Sequence, residues 1–361
     1  MADLAVILLE QYQQEELDDG FRTAFRHLNL AASFQTGEKI LIKPNLLAAV
    51  PPERATTPHP SVFQALIRSL QDLGLNLSYG DSPPLDSMSR AAKISGLAAV
   101  AEKSGVAAAD FDTAVDTLFP DGKSLKQLPL AAGVAAADGL VSLAKLKTHA
   151  LTGMTGALKN QFGVIPGQQK LLYHVRLKNP EDFAQMLVDI NLCLQPRLFV
   201  LDAIMAMEGN GPRNGTPKPM NVLLFSTDPV ALDATVCRLI DLDPELVETL
   251  VYGEKFGLGT YTEIEFAGDP MDSFVSSDFE VDRSPQKTTT DMSFLSTSFM
   301  RRFTAPRPTI DPALCTKCGR CVEVCPAQPK ALSWKDGDKK VPPVYDYAKC
   351  IRCYCCQEMC P

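Results

Sequence analysis

Short apolar runs alternate with longer amphipathic segments through the first 266 residues of the chain. Apolar runs of strand length lie at residues 4–9, 38–43, 75–79, 139–144, 197–201, 221–225 and 262–266. Apolar residues recur with helical spacing at 11–30, 60–73, 180–195, 229–241 and 244–256, and an Ala-rich stretch at 90–139 also favours helix. Strands that alternate with helices are typical of the α/β class. The pattern therefore predicts an open, mostly parallel sheet covered by helices.

The composition changes near residue 268. Residues 268–309 are rich in Ser, Thr, Asp and Pro, which is typical of a linker or of a strap across the surface. Residues 310–361 contain two cysteine runs with the spacing C-x2-C-x2-C-x3-C-P, which is typical of bacterial ferredoxins. We therefore predict an α/β body at 1–267, a linker or surface strap at 268–309 and a small ferredoxin-like domain at 310–361.

Polar, turn-forming segments follow five of the predicted strands. In an open parallel sheet the carboxyl ends of the strands meet at one edge, and ligands bind there. The candidate residues at this edge are Lys43, Asn45, Asp81, Lys145, Lys147, His149, Asp202, Glu208 and Asp228. Lysine and histidine side chains bind carboxylates or phosphates, and neighbouring carboxylates orient them. The sequence therefore predicts a site for a small anionic substrate at this edge.

Lys145, Lys147 and His149 are the predicted catalytic residues. Alternate residues of a strand point to the same side, so one pocket could receive both ammonium groups. Crowded cations lower each other's pKa, which suits anion binding or proton transfer. The alternative is that each lysine is a solvated residue at a strand end.

Three further features add candidates for substrate binding. The segment 156–163 predicts a helix start followed by Lys159 and Asn160, and its backbone amides could face an anion. His59 lies in a Pro-rich segment before a predicted helix. A Gly-rich loop at 208–215 could cradle a phosphate or form only a turn. His59, His149 and His174 could alternatively hold a metal ion, although their separation in sequence does not fix their geometry.

Eight cysteines near the C-terminus form two runs with the same spacing, C-x2-C-x2-C-x3-C-P. This is the bacterial spacing for [4Fe-4S] clusters, in which three cysteines bind one cluster and the fourth binds the other. The rule assigns Cys315, Cys318, Cys321 and Cys360 to the first cluster, and Cys325, Cys350, Cys353 and Cys356 to the second. Zinc sites usually pair two separated C-x2-C units, and a disulfide framework needs a secreted chain, so both alternatives fit less well. Cys355 is either a substitute ligand or, as we prefer, a spare buried thiol.

The charge pattern argues against several classes of partner. The whole chain carries −8, and residues 310–361 hold 8 Lys and Arg against 6 Asp and Glu, which leaves −10 for residues 1–309. An acidic body argues against nucleic acid or an anionic membrane as the principal partner. No apolar run approaches the ~18 residues of a membrane span, and the N-terminus lacks the basic region and the cleavage site of an export signal. Reduced thiolates predict a cytoplasmic protein.

Several motifs, in order along the chain, resemble those of the domain of unknown function 362 family. They are Lys43-Pro-Asn45, Gly80-Asp-Ser-Pro, Lys145-Leu-Lys-Thr-His149, Gly156-Ala-Leu-Lys-Asn-Gln-Phe-Gly163, Asp202-Ala with Glu208-Gly-Asn-Gly-Pro212, and Asp228-Pro-Val-Ala-Leu-Asp-Ala234. Members of this family often carry a C-terminal ferredoxin domain, so the resemblance implies an iron–sulfur protein. Ferredoxin domains of this type usually continue into a strand that pairs over the first cluster, whereas this chain ends at Pro361. That departure concerns the cluster that needs Cys360.

Two functions fit these observations. In the first, a possible oxidoreductase, electrons pass through two [4Fe-4S] clusters to a small anionic substrate at the strand-end site. In the second, the protein is an electron carrier or cluster-handling module, and its acidic body docks on a redox partner protein without chemistry of its own.

Overall fold

The structure, a computed structural model, describes residues 2–84, 86–167, 169–177, 179–284 and 307–361. The strands of the body are β1 (Ala2–Leu8), β2 (Lys39–Pro44), β3 (Asn76–Tyr79), β4 (Ala107–Ala108), β5 (Ala114–Leu118), β6 (Gln127–Ala131), β7 (Gly139–His149), β8 (Gly153–Thr155), β9 (Leu198–Glu208), β10 (Thr216–Ser226) and β11 (Ile264–Gly268). Within the described residues, nine of these strands form one sheet in the order β11-β1-β10-β9-β7-β2-β3-β4, with β8 paired to β7. Strands β5 and β6 form a separate hairpin.

Most neighbouring strands of the sheet run parallel. β2 pairs with β3 and β7, β7 with β9, β3 with β4, and β1 with β11 in this way. β10 is antiparallel to both of its neighbours, and β8 is antiparallel to β7. The predicted open, mostly parallel α/β sheet is therefore confirmed.

Helices flank the sheet. They are α1 (Gln14–His27), α2 (Pro60–Gln71), α3 (Met88–Ile94), α4 (Leu97–Lys103), α5 (Ala132–Ala135), α6 (Ala157–Asn160), α7 (Gln169–Arg176), α8 (Pro180–Leu194), α9 (Pro229–Leu239) and α10 (Glu248–Lys255). Among the described residues, no helix combines the length and the apolar character that a membrane crossing requires.

The burial of β1 shows that both faces of the sheet are covered. Ala5 and Ile7 join one hydrophobic core, whereas Leu4 and Val6 join another on the opposite face. Successive side chains of a strand point to opposite faces, so a strand covered on both sides reads as a continuous apolar run. Each fully buried leucine or valine contributes roughly 1.5–3 kcal/mol through removal of apolar surface from water.

Two helix starts follow their sequence signals closely. α2 has Pro60 in its first turn, and the His59 side chain accepts from the Ser61 backbone N–H. α9 has Pro229 in its first turn, and Asp228 accepts from two backbone N–H groups. Proline suits these positions because its missing N–H would have no partner inside the helix.

The Ala-rich stretch at 90–139 is only partly helical. Helices α3 and α4 fill its first part, but β4 and the hairpin of β5 and β6 follow them. The helical prediction for this second part is wrong. Alanine has a high helix propensity, but tertiary pairing overrides that weak preference.

The reversed direction of β10 moves one predicted site residue away from the others. Asp228 follows the carboxyl end of β10, which is antiparallel to β9, so it lies at the edge opposite the ends of β2, β3, β7 and β9. There it caps α9 and accepts from the Thr260 backbone N–H at 3.0 Å. The expectation that Asp228 shares the strand-end site is therefore corrected.

The C-terminal domain contains α11 (Arg320–Glu323), β12 (Leu332–Ser333), β13 (Val344–Tyr345) and α12 (Cys355–Glu358). The first part of the predicted strap packs on the body, because Phe279 is buried in the core that contains β1 and α9. The backbone N–H of Glu280 also donates to Glu208 at 2.9 Å. Residues 285–306 of the predicted strap lie outside the described residues.

Candidate functional site

The Lys43 ammonium joins two of the predicted site residues. Its Nζ lies 2.9 Å from Asp81 Oδ1 and donates to Asn160 Oδ1 at 2.9 Å. Burial lowers the pKa of Lys43, whereas Asp81 raises it. Gly163 lies so close to this pair that an added Cβ would stand 1.8 Å from Asp81 Oδ1. Glycine at this position therefore allows the ends of β2 and β3 to meet the segment that follows α6.

Lys145 belongs to a separate buried network. Its Nζ donates to Asp202 Oδ2 at 2.8 Å and to Tyr12 Oη at 3.2 Å. The Tyr12 hydroxyl donates to Asp202 Oδ1 at 3.0 Å, and the His59 backbone N–H donates to Oδ2 at 2.9 Å. The His59 ring stacks on Tyr12 with ring centroids 3.8 Å apart. These groups satisfy one another, which is what buried polar groups require.

Lys147 has its own acceptors. Its Nζ donates to Asn45 Oδ1 at 2.6 Å and to the Thr56 carbonyl at 2.7 Å. Burial lowers the pKa of Lys147 well below its ordinary value, and the charges of Lys159 and Lys145 lower it further. The two strand-end lysines therefore influence each other, but they do not share one open pocket.

Glu208 lies outside this group of residues. Its carboxylate is 3.2 Å from Lys218 Nζ and accepts from the Glu280 backbone N–H. It holds the segment after β11 against the body.

Asp233 positions the short helix α6. Its Oδ1 accepts from the Ala157 backbone N–H at 2.6 Å, and its Oδ2 accepts from Leu158 at 3.0 Å. An added Cβ on Gly156 would stand 2.0 Å from Asp233 Oδ1, so glycine is required for this approach. Burial raises the pKa of Asp233 to about 7. The backbone amides of α6 thus bind an internal carboxylate, and Lys159 is presented on the other side of this turn.

His149 at the end of β7 meets a residue of the C-terminal domain. Its Nδ1 accepts from the Leu151 backbone N–H at 3.0 Å, so the ring proton is on Nε2. Nε2 lies 2.9 Å from Glu358 Oε1, and neither buried atom has another partner among the described residues. Burial and the charge of Lys159 lower the pKa of His149 to about 4.

The Gly-rich loop at 208–215 holds the end of the chain. The Arg213 guanidinium donates to the Met359 carbonyl at 3.0 Å, and Asn214 Nδ2 donates to the Cys360 carbonyl at 2.8 Å. The sequence left two alternatives for this loop, a phosphate cradle and a simple turn. The structure favours neither, because the side chains of the loop bind the C-terminal domain.

A cavity of about 90 Å³ lies between the body and the C-terminal domain. From the body its lining includes Asn45, Asp81, Ser82, Lys159, Asn160, Phe162, Lys170, Leu171 and His174, and from the C-terminal domain it includes Val324, Cys355, Glu358 and Met359. The C-terminal domain thus lies over the strand-end residues of the body.

Two lysines give the body side of the cavity a positive charge. No carboxylate within the described residues lies at ion-pair distance from Lys159, whose Nζ is 5.8 Å from the centroid of the Phe162 ring. Lys170 Nζ donates to the Ser82 carbonyl. Burial lowers the pKa of Lys170 to about 7, with Asp81 raising it and nearby lysines lowering it. An anion in the cavity would therefore meet Lys159, whose charge also acts on the Glu358 carboxylate, and below about pH 7 a charged Lys170.

His174 forms an uncharged part of the same wall. Its ring stacks on Phe183 with centroids 4.7 Å apart, and burial lowers its pKa to about 4. A neutral imidazole is a hydrogen-bonding group for a bound ligand and adds no charge.

The thiols of the first predicted set lie near one another. Burial and the neighbouring thiols of Cys318, Cys360 and Cys315 together raise the pKa of Cys321 to about 11. Burial raises the pKa of Cys360 as well, and Cys318 and Cys315 contribute to that rise. The structure thus brings Cys360 to the other three residues of its set. Iron would bind these groups as thiolates and release their protons.

Three thiols of the second predicted set, those of Cys350, Cys353 and Cys356, also lie near one another. Burial raises the pKa of Cys356 to about 12, the Tyr345 hydroxyl lowers it, and Cys353 and Cys350 raise it. The sulfur of Cys325, the fourth member of this set, accepts a hydrogen bond from the Ala331 backbone N–H at 3.4 Å. Such N–H···S bonds help to set the reduction potential of a cluster.

Cys355 has two kinds of neighbour. It is buried, packs with Val324 and Met359, and lines the cavity. Its thiol also interacts with Cys353 and Cys356 of the second predicted set, and together with burial these neighbours raise its pKa. Its role as a spare thiol therefore stays a prediction.

No three His, Cys, Asp or Glu side chains among the described residues converge on a position for a single metal ion. This finding gives no support to a metal site formed by His59, His149 and His174. The cysteine sets are a different case, because each thiolate of a [4Fe-4S] cluster binds a different iron and the sulfurs surround a larger group.

Sequence reasoning missed three residues that matter here. Tyr12 follows β1, Lys170 belongs to α7 and Glu358 lies between two predicted ligands. Tyr12 could have been found as a polar residue beyond a strand end. Nothing in the local pattern marks Lys170 or Glu358, because their position depends on how two distant parts of the chain pack.

Comparison with protein families gives two matches. The model for "Domain of unknown function (DUF362)" matches residues 40–238, and the model for "4Fe-4S dicluster domain" matches residues 307–361. The second match supports an iron–sulfur electron-carrier role.

Individual proteins are also similar to this chain. The thylakoid-associated protein sll1697 of Synechocystis sp. is 32% identical over 266 residues, which cover 73% of this chain and 82% of that protein. The lactate racemase apoprotein from Thermoanaerobacterium thermosaccharolyticum is 13% identical with a TM-score of 0.41, over 63% of this chain and 55% of that one. A protein from Thermotoga maritima is 12% identical with a TM-score of 0.35, over 60% of this chain and 56% of that one. The chain thus spans just over half the length of these two solved structures.

Proposed function

This chain belongs to the DUF362 family and carries a 4Fe-4S dicluster domain, and from this premise we propose that it passes electrons through two [4Fe-4S] clusters to a small anionic substrate. The proposed ligands are Cys315, Cys318, Cys321 and Cys360 for the first cluster, and Cys325, Cys350, Cys353 and Cys356 for the second. When bound, the clusters supply one-electron transfer. The substrate binds in the cavity between the two domains.

The position of the cavity is the observation that carries this proposal. Cys355 and Glu358 line one side of it, and Lys159 and Lys170 line the other. Because Cys355 stands between Cys353 and Cys356, a molecule in the cavity lies beside the second proposed cluster. Lys159 and Lys170 bind its anionic group, and the C-terminal domain limits the access of water.

The buried strand-end residues have a different part in this scheme. Lys43, Lys145 and Lys147 each have internal acceptors, so we propose that they shape the site rather than touch the substrate. His149 carries its proton on Nε2, which faces Glu358 Oε1 at 2.9 Å across the domain interface. We propose that it orients Glu358.

The test starts from protein purified without oxygen. Native mass spectrometry should find two clusters and an additional small mass in the parent protein. The Lys159→Met variant should keep the clusters and lose the small mass, whereas Lys93→Met, at an exposed lysine that does not line the cavity, should keep both. The released molecule, added back to dithionite-reduced protein, should reoxidise the clusters. Reduced clusters that stay reduced in its presence would overturn the proposal.

A second candidate function is electron carriage to a partner protein. The first cysteine set is the more accessible one, since Cys318 and Cys360 are exposed and Leu314 beside them is 79% exposed. An external redox protein could dock there under either hypothesis. If the chain is a carrier only, the Lys159→Met variant should exchange electrons with such a protein as fast as the parent does, and no small molecule should be bound.

The proposed location remains the cytoplasm, because reduced thiolates need a reducing compartment. The Synechocystis relative is described as thylakoid-associated. Cell fractionation distinguishes a cytoplasmic protein from one associated with such a membrane.

A further inference from the structure

The Gly-rich loop at 208–215 brings a buried cation of the body to the C-terminal domain. Arg213 is only 7% exposed, and its guanidinium donates to the Met359 carbonyl at 3.0 Å. The next residue, Asn214, donates from Nδ2 to the Cys360 carbonyl at 2.8 Å. Two successive residues of the loop thus hold the peptide bonds before and after Cys360, a proposed ligand of the first cluster.

The charge of Arg213 has no close counter-ion. No carboxylate among the described residues lies at ion-pair distance from its guanidinium, and the acceptor that it meets is a neutral carbonyl. Burial and the charge of Arg320 lower the pKa of Arg213. Asp86, from beyond ion-pair distance, and the thiols of Cys360 and Cys318 raise it. A buried cation in such surroundings is costly unless a negative group lies nearby.

Arg320 is a second cation in the same place. It lies within the first cysteine run, and its Nη1 is buried without a hydrogen-bond partner among the described residues. Two guanidinium groups that act on each other leave an excess of positive charge beside the first set of thiols. Four thiolates give a [4Fe-4S] cluster a net negative charge, so the bound cluster supplies the counter-charge that both arginines lack.

This arrangement affects the reduced and the oxidised cluster differently. One-electron reduction adds a negative charge to the cluster, and the attraction of a nearby cation grows with that charge. We propose that Arg213 raises the reduction potential of the first cluster. The inference rests on the proposed function, because it takes the ligands of that cluster to be Cys315, Cys318, Cys321 and Cys360. It assigns a residue of the body to the tuning of a cofactor in the other domain.

The same interaction couples the redox state to the docking of the domains. Arg213 acts on the cluster only while the loop at 208–215 is docked. Since coupling between two equilibria is reciprocal, reduction of the first cluster strengthens docking by the factor by which docking favours reduction.

The experiment is a redox titration of anaerobically purified, cluster-loaded protein, followed by electron paramagnetic resonance. Arg213→Gln removes the charge and keeps an amide donor for the Met359 carbonyl. We expect reduction of the first cluster to become about tenfold less favourable, a fall in its potential of about 59 mV, while the potential of the second cluster stays unchanged. Cys318→Ser changes a ligand of the first cluster only, so its spectrum identifies which reduction step belongs to that cluster.

Three variants separate charge from contact. Arg213→Lys keeps the charge and should keep most of the potential of the parent. Asn214→Ala removes a neutral contact from the same loop and should change the potential little. Arg26→Gln removes the charge of an exposed arginine of α1 and should leave both potentials unchanged.

Every outcome decides between these roles. An unchanged potential in Arg213→Gln with both clusters present, or an equal fall in Asn214→Ala, would overturn the inference and leave the proposed function intact. If Arg213→Gln fails to retain the first cluster, full iron in Arg213→Lys supports the need for a cation, whereas loss of iron from both variants rejects it. Parent protein without reducible clusters would reject the proposed function itself.

Discussion

Glu358 Oε1 of the ferredoxin-like domain lies 2.9 Å from His149 Nε2 at the end of β7. The contact joins residues that are far apart in the sequence, and it lies between the cysteine sets and the strand-end residues. Burial raises the pKa of Glu358, but His149, Lys159 and His174 outweigh it and the pKa is lowered. Since His149 and His174 are uncharged at neutral pH, the Glu358 carboxylate there interacts chiefly with the positive charge of Lys159 in the other domain.

The first prediction concerns the docking of the two domains. Replacing Glu358 by Ala removes the carboxylate from this contact, and we expect docking to weaken by about 1.5–3 kcal/mol, the range for hydrogen bonds to a charged group. Small-angle X-ray scattering of the cluster-loaded protein should then show a larger radius of gyration. Glu323→Ala is the matched control, because Glu323 is exposed in the same domain. An unchanged radius for Glu358→Ala would show that the loop at 208–215 suffices for docking.

The second prediction is a pH dependence of anion binding. Burial lowers the pKa of Lys170 from 10.5 to about 7, and Asp81, Lys43 and Lys159 are the charged groups that act on it. The ammonium form, which attracts an anion, is lost as pH rises through about 7. Affinity for a small carboxylate such as butanoate should therefore fall between pH 6 and 8, by up to about tenfold per pH unit above the pKa. The Lys170→Met variant should bind more weakly and lose this dependence.

As pH rises, the stability of the folded protein should change in the direction opposite to its affinity for the anion. A group whose pKa is lowered on folding binds fewer protons in the folded state than in the unfolded chain. Between pH 7 and pH 10.5 the Lys170 contribution therefore increases the free energy of unfolding as pH rises. A difference between the parent and Lys170→Met that is flat over this range, measured by urea unfolding, would contradict the assignment.

The third prediction tests whether Lys145 has a structural role. Asp202→Ala removes the partner of a fully buried ammonium, which typically costs about 3–5 kcal/mol. Asp19→Ala, which removes the partner of Arg22 in an exposed pair, should cost at most about 1 kcal/mol. Urea unfolding of the two variants provides the comparison. If Asp202→Ala lowers the free energy of unfolding only slightly but greatly reduces substrate turnover, the predicted catalytic role of Lys145 would instead be favoured.

The sequence pattern accounts for part of this arrangement. Lys43, Asp81 and Asn160 meet because parallel strands end at one edge, which the alternation of strands and helices already implied. Asp228 was misplaced because the direction of β10 depends on its pairing with β9 and leaves no mark in its own residues. Lys170 and Glu358 could not be predicted for a similar reason. The cavity that they line exists only when two separate domains pack together.

The last prediction separates the proposed cluster ligands from the extra thiol. Cys360 lies with Cys315, Cys318 and Cys321, whereas Cys355 packs with Val324 and Met359 and is outside the C-x2-C-x2-C-x3-C spacing. Cys360→Ser should therefore lose about half of the bound iron, since it removes one ligand of one of two clusters. Cys355→Ser, a substitution of the same size in the same domain, should keep the iron content of the parent. Iron analysis and low-temperature electron paramagnetic resonance of anaerobically purified protein measure both variants. Loss of iron from Cys355→Ser with full iron in Cys356→Ser would make Cys355 the ligand and Cys356 the extra thiol.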